Sequence, residues 1–164
     1  MKALLTQVAA GQLFPGTDDE LLRIAEERIR AGILYSFVPM GHLTDAPPEQ
    51  LYGPMNIPLL FMTGTADDSP VEHFDYTYRL PVYEYAGCPE KYLLVLEKGD
   101  HMVFAGSRGQ LGENPRRHAQ ENIIKQLSLA FWNAYLKDDK AAKAWLAGAQ
   151  GWLGDQAEFT AQAA

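Results

Sequence analysis

The chain has 164 residues, 47% hydrophobic and 21% charged, the proportions of an ordinary globular protein long enough to bury one sizeable core. Its net charge of −7 argues against nonspecific binding to nucleic acid or to an anionic membrane. A single cysteine, Cys88, excludes an intrachain disulfide, which fits a reducing compartment without requiring one.

The N-terminal stretch carries Leu4, Leu5, Val8, Ala9 and Leu13 at helical spacing and ends at Pro15-Gly16, so a helix is expected over 2–13. It is too short and too broken by Gln7 and Gln12 to span a membrane, and it lacks a signal-peptide layout. Compartment is left open. Thr17 and Glu20 then form a capping box, which predicts a second helix burying Leu21, Leu22, Ile24, Ala25 and Ile29 and leaving Glu26, Glu27, Arg28 and Arg30 to solvent. Residues 33–38 are an apolar β-type run closed by Pro39.

Residues 40–56 are rich in Pro and Gly and read as a long loop holding at most one short helical turn, a length often associated with function. Residues 58–63 are almost uniformly apolar without helical period, the pattern of a strand buried on both faces in a parallel sheet. The aromatic-rich segment 69–89 leaves room for a crossover, although its helix is poorly written. A third strand is expected at 92–97, followed by a Gly-rich loop over 102–113. Asn114 reads as the cap of a long helix with Pro115 at its first position and a stripe of Ile123, Ile124, Leu127, Phe131, Ala134 and Tyr135. A shorter helix near 139–146 ends at Gly148, and the tail from about 154 is expected to fray. No repeat or linker divides the chain, which reads as one domain over 1–164 of α/β class: about three parallel strands flanked by helices.

Two of these strands end in chemistry. The run 58–63 stops at Gly64-Thr65-Ala66-Asp67-Asp68, and the run 92–97 stops at Lys98-Gly99-Asp100-His101. Ligands of open α/β sheets bind at the carboxyl edge of the strands, where both polar groups would lie. A carboxylate beside an imidazole fixes the ring tautomer and stabilises the imidazolium, so Asp67 and His101 supply two-thirds of a nucleophilic triad.

The order strand, Gly64-Thr-Ala-Asp67, crossover, strand, Gly99-Asp-His101-Met-Val-Phe104, long helix resembles the final third of the α/β-hydrolase superfamily, most closely its dienelactone-hydrolase-like esterase branch. The resemblance runs from about residue 31 to 135. It implies the C-terminal part of that fold, with Asp67 as acid, Asp68 as its fallback, and His101 as base. It also implies a serine hydrolase that cleaves an ester or related acyl bond of a small-molecule substrate, with no cofactor. The family's Gly-x-Ser-x-Gly elbow does not occur upstream; the serines are Ser36, Ser69, Ser107 and Ser128. Ala105-Gly-Ser107-Arg-Gly109 imitates it but follows the histidine and opens no helix after a strand. The expectation is therefore a chain incompetent alone, whose macromolecular partner would be the missing N-terminal part of the fold. The competing expectation is a non-catalytic binding or docking module on a degenerate hydrolase fold.

Other polar residues are weaker candidates. His42, at the end of the first strand, and Met102, beside His101, are the candidate substrate contacts. His73 and Asp75 with Glu72 nearby have no CxxC or HExxH companion, so no metal site is expected. Arg116, Arg117 and His118 read as a solvated helix face, Cys88 as a small structural residue, and Trp132, Trp145 and Trp152 as anchors of the C-terminal helices.

Overall fold

In the computed structural model, which describes residues 2–15, 21–41, 43–69, 73–105 and 113–162, helices and strands alternate along most of the chain. The order is α1 (Lys2–Ala9), β1 (Leu13–Pro15), β2 (Leu21–Arg23), β3 (Gly32–Tyr35), α2 (Pro48–Tyr52), β4 (Leu59–Ala66), α3 (Leu80–Tyr85), β5 (Lys91–Asp100), α4 (Arg117–Leu136), α5 (Lys140–Ala147), α6 (Ala149–Leu153) and β6 (Ala157–Gln162). Two 3₁₀ turns, Tyr76–Arg79 and His101–Ala105, stand before α3 and after β5.

The main sheet has the order β3-β4-β5-β6. The three apolar runs pair in parallel, β3 on β4 and β4 on β5, with Leu34 opposite Phe61 and Phe61 opposite Leu93. Successive residues of β4 face opposite ways, as the pleat requires. Leu60 and Met62 pack with Leu94, Leu127 and Phe131 under α4, whereas Leu59 and Phe61 pack with Phe37, Leu51 and Val82 on the other face. Both faces are thus apolar and covered, which is why β4 reads as a continuous hydrophobic run without alternation. The fold is mixed α/β with an open, mostly parallel sheet flanked by helices.

The fourth strand departs from expectation. Residues 157–162 do not fray; they pair antiparallel with β5 along its first six residues, Lys91 opposite Gln162 through Leu96 opposite Ala157. The segment AEFTAQ alternates small or apolar with polar, and Ala157 and Phe159 are buried while Glu158 and Thr160 are exposed. Phe159 stacks on Tyr92 at 6.0 Å, and the Gln150 side chain bonds the backbone of Ala157 and Phe159. An Ala/Gln-rich composition hid a short strand of period 2.

The helix expected after Pro15 is also corrected. Residues 21–23 form β2, antiparallel to β1, with Phe14 opposite Leu22. The capping box Thr17–Glu20 lies outside the described residues. Ile24, which a helical stripe would have buried, is 57% exposed, and Glu26 closes a fork on Arg28 at 2.8 Å instead of facing solvent alone. Pairing with a neighbouring strand overrides a local helical pattern this short.

Smaller shifts follow from caps. α1 stops at Ala9 rather than near residue 13, since Leu13 is drawn into β1. α4 starts at Arg117, two residues later than read: Asn114 Oδ1 accepts from the Arg116 N–H, so Asn114 and Pro115 form the turn that leads into the helix. The loop after β5 opens with the 3₁₀ turn His101–Ala105, and its remainder, with Ser107, lies outside the described residues. α5 is capped as its sequence suggests, Asp139 accepting from the N–H groups of Ala141 and Ala142. Among the described residues no helix is long and apolar enough to cross a membrane.

Candidate active site

Parallel pairing carries the ends of β3, β4 and β5 to one edge of the sheet, and the chain leaves each strand there through a polar residue. β3 ends because Ser36 turns into the left-handed region at φ 48°, a costly conformation for a non-glycine residue. Its N–H nonetheless still bonds the Met62 carbonyl at 2.8 Å, so the turn is anchored to β4. β4 ends in a tight turn in which the Asp67 N–H bonds the Gly64 carbonyl at 2.9 Å. β5 runs on to Asp100 through a bulge, its register with β4 shifting between Gly64 and Ala66.

The two glycines of the sequence motifs explain how the strand ends meet. A Cβ on Gly64 would stand 2.3 Å from the Gly99 carbonyl oxygen, and one on Gly99 would stand 2.6 Å from Leu96 Cβ. The missing side chain of Gly64 lets the two backbones approach this closely, and that of Gly99 lets β5 bend over its own Leu96. That contact brings the residues that follow, Asp67 and His101, within bonding distance of each other.

Asp67 is fully buried and His101 is 60% exposed, its Nδ1 lying 3.0 Å from Asp67 Oδ1. Oδ1 also accepts the Ser36 hydroxyl at 3.0 Å, and Oδ2 accepts the Thr63 hydroxyl at 2.9 Å. Arg79, itself buried, lies against the same carboxylate, with Nε 3.4 Å from Oδ2 and Nη2 3.4 Å from Oδ1. A buried carboxylate needs this many partners to remain ionised.

An ionised carboxylate only accepts, so the proton between Asp67 and His101 sits on Nδ1. That leaves the lone pair of the neutral ring on Nε2, and among the described residues no side chain bonds Nε2. The hydrogen bond to Asp67 holds His101 above the usual histidine pKa; partial burial and the Arg79 charge oppose it, while the charges of Asp67 and Asp100 reinforce it. The result is a ring tied at one nitrogen and open at the other, able to take and return a proton at Nε2.

Ser36 Oγ lies 2.9 Å from the same Nδ1. Its hydroxyl points its proton at Asp67, and the neighbouring nitrogen already carries a hydrogen. The ring cannot deprotonate Ser36 from this side, so Ser36 supports the pair and is not its nucleophile.

The loop after β5 is tied down separately. Asp100 accepts from the Val103 N–H at 3.0 Å and from the Asn114 side chain at 3.0 Å, and lies 3.7 Å from Arg117. The buried Gln120 accepts from Asn114 at 2.8 Å and donates to the Glu97 carbonyl at 3.0 Å. Arg117 therefore lies against Asp100 with its side chain only 17% exposed, and is not a solvated residue like its neighbours Arg116 and His118.

Of the residues singled out from sequence, Asp67 and His101 meet. Asp68 is exposed, and the carboxylate bonded to the ring is that of Asp67. Met102 is half-buried in the turn beside His101, and His42 lies outside the described residues. Asp75 is engaged in capping the turn Tyr76–Arg79 through the Thr77 N–H, and among the described residues no group of three or more His, Cys, Asp or Glu could hold a metal ion. Burial pushes the Cys88 thiol up to about 12 against the pull of Lys91, which leaves it protonated and unreactive at neutral pH.

Sequence reading missed Ser36, Thr63 and Arg79. Ser36 interrupts the apolar run 33–38 and Thr63 closes the run 58–63, a faint signal that these side chains turn toward the edge. Arg79 stands alone among the aromatics of segment 74–85, and nothing local marks it as buried. No family model matches the chain, and no curated protein matches it in sequence.

Proposed function

We propose that this chain is the C-terminal part of a serine hydrolase that cleaves an ester or related acyl bond of a small molecule. The single observation that carries this reading is the bonded pair itself: a buried, multiply held Asp67 on Nδ1 of His101, with Nε2 turned outward. In the proposed reaction a serine hydroxyl from outside this chain gives its proton to Nε2 as its oxygen attacks the acyl carbon. His101 then passes that proton to the departing alcohol, and a water enters by the same route to release the acid. Asp67 stays ionised throughout, orienting the ring and stabilising the imidazolium. General base catalysis of this kind is worth about 10²–10⁴ in rate. Met102, next to the ring, and His42 are the proposed substrate contacts.

A protein expressed from the coding sequence extended upstream of Met1, assayed with a short-chain aryl ester, tests the reading. Hydrolysis that falls about 10³-fold or more in both His101→Ala and Asp67→Asn is expected. Absence of hydrolysis in the extended protein, or hydrolysis indifferent to His101→Ala, overturns it.

The second reading, a non-catalytic docking module, draws on the packing. Leu34, Phe61, Leu94 and Phe131 are all fully buried by residues of this chain alone, so the two cores on either side of the sheet are filled without outside help.

A further inference from the structure

One buried guanidinium reaches across two strand ends. Arg79 Nη1 donates to the carbonyls of Phe37 at 2.7 Å and Ser36 at 3.2 Å, just past β3. Nε and Nη2 donate to the Asp67 carbonyl at 3.2 and 3.3 Å, just past β4, and the same two nitrogens face the Asp67 carboxylate. Phe74 covers the guanidinium at 5.1 Å. An arginine can span this many carbonyls because its donors lie in a fixed planar fork; a lysine point charge cannot.

We propose that Arg79 is a positioning residue of the Asp67–His101 pair: it clamps the left-handed turn at Ser36 to the turn at Asp67 and sets a positive charge against the carboxylate that faces the ring. This deepens the hydrolase reading and rests on it for the use to which the base is put.

The electrostatic side follows from counting what faces the ring. Asp67 comes from the end of β4 and Asp100 from the end of β5, both favouring the imidazolium. Arg79 comes from the turn before α3 and opposes it, while Arg117 on α4 lies 3.7 Å from Asp100. Two carboxylates with no counterweight would favour the imidazolium further, and a protonated ring takes no proton from a nucleophile. The geometric side follows from Ser36. Its strained turn delivers a hydroxyl to both Asp67 and Nδ1, and Arg79 holds the carbonyls on either side of the bond that leaves that turn.

Titration of the His101 ring by NMR, in the chain as it stands, tests the proposal without any substrate or nucleophile. Arg79→Gln is expected to move the His101 midpoint upward, and Arg79→Lys, which restores the charge, to bring it back toward the wild-type value. A midpoint in Arg79→Gln that is unchanged or lowered overturns the proposal: unchanged means that the Arg79 charge does not reach the ring, and lowered means that its loss releases the bond to Asp67 without unbalancing the carboxylates. If Arg79→Gln does not fold, Asp67→Asn and the double variant Asp67→Asn/Arg79→Gln replace it, the latter leaving no buried charge unpaired. The double variant is then expected to titrate above Asp67→Asn, and equal midpoints overturn the proposal. Because the readout is a protonation equilibrium, it can succeed where ester hydrolysis fails and fail where hydrolysis succeeds.

Discussion

His101 gains a partner on folding, and the sign of the consequence is fixed. Its folded-state pKa is raised by the bond to Asp67, so the bond contributes stability that is complete below the unfolded value, about 6.5, and is lost as pH rises through the higher folded value. Urea unfolding of wild type and His101→Ala between about pH 5 and 9 is expected to show their stability difference greatest at the acidic end and smallest at the alkaline end. A difference that grows with pH would mean that the ring is not held as an imidazolium partner of Asp67. The hydroxyls around this pair divide the carboxylate between them. Thr63 supports Oδ2, Ser36 supports Oδ1, and neither is placed to attack an acyl carbon with the ring's help.

Strand ends, rather than helices, decide whether the pair forms. β4 and β5 converge because Gly64 and Gly99 touch backbone to backbone, and just before Gly99, Lys98 at φ 58° and the Lys98 N–H to Thr65 Oγ1 bond of 2.7 Å shape the bulge that leads to His101. Gly64→Ala would insert a methyl group 2.3 Å from the Gly99 oxygen. Overpacking against backbone that cannot yield costs about 1–3 kcal/mol. The substitution is expected to lower stability by that amount and to return the His101 titration toward that of an unpaired histidine, measured by denaturation and by NMR. Preserved titration would show the strand ends to be independent of this contact. β6 contributes at the far edge of the sheet, where Phe159 closes the aromatic cluster of Tyr92, Phe131 and Tyr135.

The assembled sheet is asymmetric at its borders. β6 covers β5 on one side, whereas among the described residues no strand pairs with β3 on the side away from β4. An open edge of this kind is a template for another strand, from the rest of a larger fold or from a second copy. Sizing of the purified chain separates the two readings of its function. Self-association or aggregation that disappears when the upstream segment is included is expected for the C-terminal part of an enzyme; a stable monomer at high concentration favours the self-sufficient module.

Much of this architecture is legible in the order of residues alone. Apolar runs of the right length, ended by Gly-x-x-Asp and Gly-x-His, announce parallel strands delivering a carboxylate and an imidazole to one edge, because burial on both faces and a turn at the carboxyl end leave direct marks on residue type. The α4 stripe is equally plain, since twenty residues of 3.6-period leave little room for another reading. What lies beyond the linear pattern is set by partners distant in the chain. β2 exists because β1 lies beside it, β6 because β5 offers an edge, and Arg79 is buried because strand ends forty-odd residues upstream and a dozen upstream close around it. Local propensity carries the energy of one turn or a few residues, whereas a ladder or a buried ion pair draws on neighbours that only folding brings near; where the two compete over short segments, the neighbours prevail.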